Sequence, residues 1–228
     1  MEKQQDNKKP SKKFRLAIIL SLWLLVGFLT FMLLLDKPAG YTPEDIKNDK
    51  CVSQYVTNEL APYVYNSLQK EQPFNITIPQ SKTKEFISLI EWPIESEDVK
   101  ISAPQAFFVD NGLVIRANAQ TKGLNFVITV IISGMIDKTG MMTLNISKIN
   151  IGSMNITFVA KIIAKKMYQH RAKQENYSKD TIGAAIAASL LNGQSFDPVF
   201  EIRHRKVRID KITVTKSQLE MTMTPVID

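Results

Sequence analysis

A long run of uncharged, mostly apolar residues near the N-terminus constrains this chain more than any other feature. The run is LAIILSLWLLVGFLTFMLLL, residues 16–35 of a chain of 228 residues. A helix rises about 1.5 Å per residue, so a run of this length spans roughly 30 Å, the thickness of a bilayer's hydrocarbon core. We therefore predict a transmembrane helix over residues 16–35.

A cleaved secretory signal is the alternative interpretation of the same run. Signal peptides have apolar regions of about 7–15 residues, followed by a cleavage site with small residues. Here the run is longer, and the segment LLLDKPAGYTP that ends it contains no Ala-x-Ala-like site. These two differences favour an uncleaved anchor in the cell membrane.

The basic residues at the N-terminus set the expected orientation and much of the net charge. Residues 1–15 carry six Lys and Arg against two acidic residues, in a chain whose formal net charge is +7. Because basic flanks stay on the cytoplasmic side, we expect the N-terminus in the cytoplasm and the rest of the chain outside. The outer basic segments lack interleaved aromatic residues for base stacking, so no nucleic-acid partner is expected.

The chain is thus expected to have four parts. They are a cytoplasmic basic tail (1–15), a transmembrane helix (16–35), a juxtamembrane linker (36–42) and an extracytoplasmic α+β domain (43–228). The Thr42-Pro43-Glu44-Asp45 segment is typical of a helix start. We predict one long amphipathic helix over about 43–70, kinked near Pro62, since a proline cannot donate the helical hydrogen bond. Further helices are predicted over about 81–91, 154–174 and 179–192.

Alternation of apolar and polar residues predicts strands between these helices. From Val99 to Ile151 the period is two, with a tight-turn signal at Asn111-Gly112, and this predicts a four-strand antiparallel meander. The alternation slips between Ile146 and Ile149, which predicts a bulge near Ser147-Lys148. Shorter strands are expected at 74–78, 200–202, 207–209, 212–214 and 219–223. The predicted fold class is α+β: an N-terminal transmembrane helix followed by a curved antiparallel sheet packed against a long helix and two or three further helices.

The sequence contains little that indicates catalysis. Nucleophile-elbow, zinc-protease, P-loop and dinucleotide-binding motifs do not occur in it. The single cysteine, Cys51, excludes a disulfide framework and Cys-based zinc motifs, and His170 and His204 lie in basic stretches typical of solvated surface. We expect no catalytic residues, no metal, no cofactor and no enzymatic activity. A pair of carboxylates assembled by the fold is the alternative left open.

Small and apolar residues on the predicted strands indicate where a ligand could bind. Residues 126–132 are apolar on both faces, and small side chains on a neighbouring strand leave room beside them. The candidate lining of a site for a lipid or another apolar ligand consists of Ala117, Ala119, Ile128, Val130 and Ile186. The alternative explanation is that these small residues only allow the elements to pack closely.

Two basic clusters are candidates for contact with an anionic surface. Each Lys or Arg near a charged membrane contributes about 1 kcal/mol. The clusters are Lys161, Lys165, Lys166 and Arg171 on a predicted helix, and Arg203 and Arg205 near a strand turn. An ordinary solvated surface, where basic residues protect an edge strand from aggregation, is the alternative.

Three segments carry a resemblance to known proteins. After the basic tail and apolar helix come FNITIPQSKTKEFISLI, VKISAPQAFFVDNGLVIRANAQTKGLNFVITVIISG and GMMTLNISKINIGSMNITFVAKIIAKKM. Their order resembles the YpmS-like families of bacterial membrane-anchored proteins and is similar to the wider tubular lipid-binding type of domain. The resemblance covers about residues 15–225, with Asn111-Gly112 and the strand end at Ile149-Asn150-Ile151-Gly152 as its best local marks. It implies a long helix held in a highly curved antiparallel sheet that can enclose an acyl chain.

The expected function follows from the anchor, the missing catalytic motifs and this resemblance. We expect a membrane-anchored, extracytoplasmic, non-enzymatic domain that binds a lipid or another apolar ligand at the cell envelope. The alternative is a structural or interaction subunit that docks an envelope protein complex.

Overall fold

The described part of the chain combines α-helices with two antiparallel sheets. The computed structural model describes residues 12–42, 53–96, 98–172 and 182–226. Its α-helices are α1 (Lys12–Leu35), α2 (Ala61–Gln69), α3 (Thr83–Ile87), α4 (Thr157–Ala172) and α5 (Ile182–Asn192). A π-helical segment, Tyr55–Leu60, runs directly into α2, and a 3₁₀ turn, Gln80–Lys82, precedes α3.

The strands divide into a smaller and a larger sheet. The smaller sheet contains β1 (Phe74–Pro79), β9 (Val199–Ile202), β10 (Arg205–Val214) and β11 (Gln218–Pro225), in the order β1-β11-β10-β9. The larger sheet contains β2 (Ile94–Ser96), β3 (Val99–Ile101), β4 (Gln105–Val109), β5 (Gly112–Thr121), β6 (Leu124–Ile136), β7 (Met142–Ile151) and β8 (Met154–Asn155). Its order is β2-β3-β5-β6-β7-β8, with β4 also paired to β5. The α+β class is confirmed, but the strands form two sheets, neither of them closed.

Helix α1 contains the apolar run that dominates the sequence. Its window Ile18–Leu35 is long and apolar enough to cross a membrane, and none of it is buried in the protein. A helix of 24 residues extends for about 36 Å, more than the hydrocarbon core requires. Outward-facing leucine and phenylalanine around the whole helix are what a lipid environment favours.

The predicted meander is present, with one interruption. Asp110 and Asn111 form the tight turn between β4 and β5, and Asn111 has a left-handed φ of 62°, which asparagine adopts more readily than most residues. The predicted bulge is confirmed, because Ile131 pairs with Lys148 while Ile132 pairs with Ile146, which leaves Ser147 as the extra residue. The first predicted strand is interrupted at residues 102–104, so that β3 and β4 pair with different halves of β5.

Several predicted boundaries differ from the structure. The helix expected over 81–91 ends at Ile87, and the segments 207–209 and 212–214 belong to the single strand β10. The apolar residues of β10 change from odd positions (207 and 209) to even positions (212 and 214). A bulge at Asp210 accounts for this change, since Ile209 pairs with Met223 and Lys211 with Thr222. The predicted helix start at 43, the segment 173–181 and Cys51 lie outside the described residues.

Proline shapes the predicted long helix where it is described. The chain changes from π-helical to α-helical geometry at Ala61, directly before Pro62. A proline cannot donate to the carbonyl four residues earlier, and a helix meets this loss with a kink or a change in hydrogen-bond spacing. The predicted disturbance near Pro62 therefore takes the form of this change of helix type.

The main hydrophobic core lies between α2 and the smaller sheet. Leu68 on α2 and Val207 on β10 are its most deeply buried members. Phe108 on β4 reaches into it from the larger sheet, with Leu113 and Ile136 packed alongside, so one core joins the two sheets. The buried members are Val64, Leu68, Phe74, Ile76, Ile78, Phe108, Val207, Ile209 and Met223.

A polar cluster ties α3 to the start of the π-helical segment. The Glu85 carboxylate accepts hydrogen bonds from the buried Ser53 hydroxyl (2.8 Å), the Tyr55 backbone N–H (2.8 Å) and the Lys82 ammonium group (2.9 Å). These three donors, Lys82 foremost, hold the pKa of Glu85 below its usual value. Glu85 thus satisfies a free N–H at the helix start and links two elements distant in sequence.

We expect Glu85→Gln to lower the melting temperature at neutral pH by about 2–4 °C, as for a lost helix-capping interaction in a protein of this size. A pKa lower in the folded than in the unfolded state stabilises the fold above the unfolded value, about 4.3. That stabilisation is lost as the pH falls through the folded value. Thermal unfolding of the native chain in detergent micelles should therefore depend more strongly on pH below about 5 than that of the variant.

The matched control for this prediction is Glu59→Gln, which removes an exposed carboxylate from the neighbouring helical segment. We expect it to leave the midpoint and its pH dependence close to the native values. Equal pH dependence in Glu85→Gln and the native chain would contradict the proposed role of Glu85.

Candidate functional site

The C-terminal end of α1 is fixed to the larger sheet by the turn between β7 and β8. The Ser153 backbone N–H donates to the Leu33 carbonyl (3.0 Å), and the Ser153 hydroxyl donates to the Asp36 carboxylate. The Gly152 N–H donates to the Val127 carbonyl of β6 (2.8 Å). The last carbonyls of a helix lack partners within it, so this turn supplies one. We call this contact the junction and define it by Leu33, Asp36, Gly152 and Ser153.

A glycine is needed at the junction for two reasons. Gly152 has a φ of +59°, a conformation that residues with a side chain rarely adopt. A Cβ atom at this position would lie 2.4 Å from the Leu33 carbonyl oxygen and 2.6 Å from that of Leu34. The backbone of the turn therefore packs directly against the end of α1.

The linker that follows α1 also lies on the larger sheet. The Arg116 guanidinium of β5 donates to the Ala39 carbonyl (3.4 Å) and lies 4.8 Å from the centre of the Phe107 ring. Arg116 belongs to a polar row across the sheet, in which it pairs with Thr129, Thr129 with Asn150 and Asn150 with Asn155. The linker thus covers part of the polar face.

The opposite face of the larger sheet is apolar across four strands. One row joins Ala117, Ile128, Ile151 and Met154 on β5, β6, β7 and β8, because each residue pairs with the next. We call this surface the apolar face. Its members are Leu113, Ile115, Ala117, Ala119, Phe126, Ile128, Val130, Ile132, Leu144, Ile146, Ile149, Ile151 and Met154.

The apolar face is only partly covered by the described residues. Ala119 is buried, whereas all its other members are half-buried. At one end Leu113 packs against the main core, and at the other end Ile151 directly precedes Gly152 of the junction. An apolar surface with residual exposure therefore runs from the core to the end of α1.

Four of the five predicted lining residues come together on this face. Ala117 lies opposite Ile128, and Ala119 lies on the same side of β5. Val130 is the next residue of β6 after Ile128 on this side of the sheet. The fifth, Ile186, is half-buried on α5, which packs along β7. They line one side of a sheet that is not closed.

Helix α5 protects the open edge of β7. The Leu144 N–H donates to the buried Ser189 hydroxyl oxygen (2.7 Å), and the hydroxyl is 3.3 Å from the Leu144 carbonyl. A single serine side chain thus satisfies both backbone groups that an unpaired strand edge presents.

The predicted basic residues fall into two separate environments. On α4, Lys165 and Lys166 are exposed, while Lys161 is half-buried and donates to the Asn145 side chain (3.3 Å); Arg171 lies further along the same helix. The other two pack against α2 instead. Arg203 lies over the Tyr65 ring (5.4 Å to its centre), and Arg205 donates to the Leu68 carbonyl (3.1 Å).

Three of the apolar residues whose spacing predicts α4, namely Phe158, Ile162 and Ile163, are exposed on the protein surface, as is the neighbouring Val159. The exposed fractions are 77% for Phe158, 54% for Val159, 42% for Ile162 and 53% for Ile163. On the side turned to β7, the Ile149 N–H donates to the Thr157 hydroxyl oxygen (2.8 Å), and Lys161 donates to the Asn145 side chain. Periodicity reveals that a helix is two-sided but not which side meets the sheet, so sequence reasoning missed this surface.

Clefts also occur elsewhere on the described surface. One of about 530 Å³ lies beside the π-helical segment and includes Tyr55, Tyr63 and Pro79, and another of about 390 Å³ includes Gln80 and Arg116. Neither is lined by the predicted ligand-binding residues. Within the described ranges, no cluster of His, Cys, Asp and Glu is arranged to hold a metal ion.

Comparison of the chain with protein-family models, with curated proteins and with solved structures found no match.

Proposed function

We propose that this chain is a single-pass membrane protein whose outer domain binds the acyl part of a lipid, or another apolar ligand, on the apolar face. In this proposal α1 crosses the cell membrane, and the basic residues before it keep the N-terminus in the cytoplasm. The domain then lies outside, at the cell envelope, and acts as a non-enzymatic binding module.

The observation that carries the proposal is the apolar face itself. Aliphatic side chains on four adjacent strands keep part of their surface exposed, and the row through Ala117, Ile128 and Ile151 ends beside the junction. An acyl chain outside the bilayer loses about 0.8 kcal/mol for each methylene group left in water, and an apolar surface that covers these groups removes that loss. A lipid leaving the bilayer along α1 would reach the Ile151 end of this face beside the junction.

Small side chains give the face room for a ligand. Ala117 sits directly opposite Ile128, and cross-strand neighbours have Cβ atoms roughly 4.5–5.5 Å apart. A ring at position 117 would fill the space above both strands. Substitution there should therefore block a ligand without touching the main core.

The experiment is photolabelling of the full chain in lipid nanodiscs with a phospholipid that carries a diazirine on its acyl chain. Mass spectrometry should find labelled peptides from β5, β6 and β7. We expect Ala117→Phe to reduce this labelling at least several-fold.

The matched control is Gln120→Phe, which places the same ring on the same strand but on the opposite, exposed side. It should label like the native chain, and thermal unfolding of both variants verifies that they are folded. Native-level labelling of the sheet in a folded Ala117→Phe chain would overturn the proposal.

An interaction subunit is the second candidate function, favoured by a different surface. Leu89 and Ile90, next to α3, are exposed, as is Ile94 on the edge strand β2. An exposed edge with apolar neighbours is a common site for pairing with another protein. A chain that takes up no photolabel on the sheet but cross-links through Ile94 to a second envelope protein would support this function.

A further inference from the structure

We propose that the first two turns of α4 form a second contact with the membrane, inserting into the interfacial region of an anionic lipid leaflet around the end of α1. The inference rests on the proposed transmembrane role of α1 but not on ligand binding by the apolar face.

The exposed side chains of α4 are of the kind that insert into a lipid interface. Phe158, Val159, Ile162 and Ile163 lie within two turns and are each at least 42% exposed. The other side of the helix packs against β7 and α5. Such a helix presents its apolar residues to whatever lies outside the domain.

The position of α4 indicates that its exposed apolar side chains contact the membrane. Ser153 binds the last turn of α1 through the Leu33 carbonyl, and β8, which follows, packs against α1. Thr157, the first residue of α4, is four residues beyond Ser153, a distance of at most roughly 14 Å. The interfacial region extends roughly 5–8 Å beyond the hydrocarbon core on each side. The first turns of α4 therefore lie within reach of it.

The charges on α4 indicate that the surface it contacts is an anionic lipid surface. The helix TFVAKIIAKKMYQHRA contains no acidic residue, and Lys165 and Lys166 are exposed immediately after the apolar turns. Lysine stems lie along apolar surface while the ammonium groups reach phosphate groups. Apolar side chains followed by lysines are the pattern of helices that lie in the membrane interface.

The apolar turns give the domain a second attachment that a single helix cannot supply. One transmembrane helix leaves a domain free to tilt relative to the membrane, whereas two attachments fix one side of the domain toward the lipid. With α4 at the interface, the Ile151 end of the apolar face is also held at the membrane surface.

The test places spin labels on the full chain, with one chain in each nanodisc. Cys51→Ser removes the chain's single cysteine, and labels are then attached to Phe158→Cys, Ile162→Cys or Met135→Cys. Met135 is the control because it is 67% exposed and lies on β6 eight residues from Val127, whose carbonyl accepts the Gly152 N–H of the junction. Eight residues span roughly 26 Å along a strand.

Collision rates with oxygen and with a water-soluble nickel chelate give the depth of each label. In discs containing phosphatidylglycerol we expect at least a threefold lower nickel accessibility at 158 and 162 than at 135. Replacing Lys165 and Lys166 by glutamine should reduce this protection in anionic discs and leave it unchanged in phosphatidylcholine discs.

Nickel accessibility at 158 and 162 equal to that at 135 would overturn the inference. Protection that appears only when two chains share a disc would overturn it in favour of a contact between copies. Because acyl-chain photolabelling of the sheet is a separate measurement, its failure would remove the proposed ligand function and leave the α4 result standing.

Discussion

Replacing Leu68 by alanine should lower the free energy of unfolding by about 2–5 kcal/mol, the range for large-to-small substitutions in packed cores. Leu68 lies on α2 with only 1% of its surface exposed, in the main core that joins both sheets. Alanine would leave a cavity among β-strands that hydrogen bonds hold in place, so the surroundings cannot collapse to fill it. This is the largest loss of stability that we expect from one substitution in the domain that follows α1.

Thermal unfolding of the full chain in detergent micelles measures this effect as a fall of roughly 4–20 °C in the midpoint, at about 2–4 °C for each kcal/mol. Leu89→Ala is the control, because it removes the same atoms from a side chain that is 52% exposed. We expect Leu89→Ala to change stability by less than about 0.5 kcal/mol. Equal losses in both variants would mean that the core is not centred on α2 and the smaller sheet.

Local sequence patterns predict the meander well because its pairings are local. Asn111 tolerates the left-handed turn between β4 and β5, and the parity slip before Ile149 identifies the bulge at Ser147. The division into two sheets depends instead on β1 pairing with β11, where Phe74 lies opposite Met223. No local pattern indicates a partner so distant in the chain, so the strands are predicted but their sheet is not.

The candidate site shows the same limit at the level of single residues. Alternation places Ala117 and Val130 on an apolar side of their strands, but how far each remains exposed depends on what packs over the sheet. Phe158 and Ile162 illustrate this, since their spacing is typical of a buried helix side and yet both are exposed. Exposed apolar residues can be recognised only when the elements packed around them are known. The proposed membrane contact of α4 depends on such residues.

Gly152→Ala should detach the end of α1 from the larger sheet. An alanine Cβ would lie 2.4 Å from the Leu33 oxygen and 2.9 Å from the Asp36 oxygen, both backbone atoms that cannot rotate away. The left-handed φ adds about 1–2 kcal/mol of strain for any residue with a Cβ. The Ser153–Leu33 hydrogen bond would break, because either the turn or the helix end has to move.

The measurement is the distance distribution between spin labels at Lys13 on α1 and Lys148 on β7, both exposed, in the full chain with Cys51 replaced by serine. Gly193→Ala is the matched control, since Gly193 also has a positive φ (68°) but a Cβ there would meet nothing within 4 Å. The Gly193→Ala variant has the backbone strain of a positive φ but no steric clash of its Cβ atom. The native chain and Gly193→Ala should therefore both give a narrow distance distribution. A broad distribution in Gly152→Ala alone would establish the junction as a rigid connection, whereas an unchanged narrow one would exclude it. Rigidity here matters for the proposed function, because the apolar face and α4 could keep a fixed position at the membrane only if α1 does not move independently of the sheet.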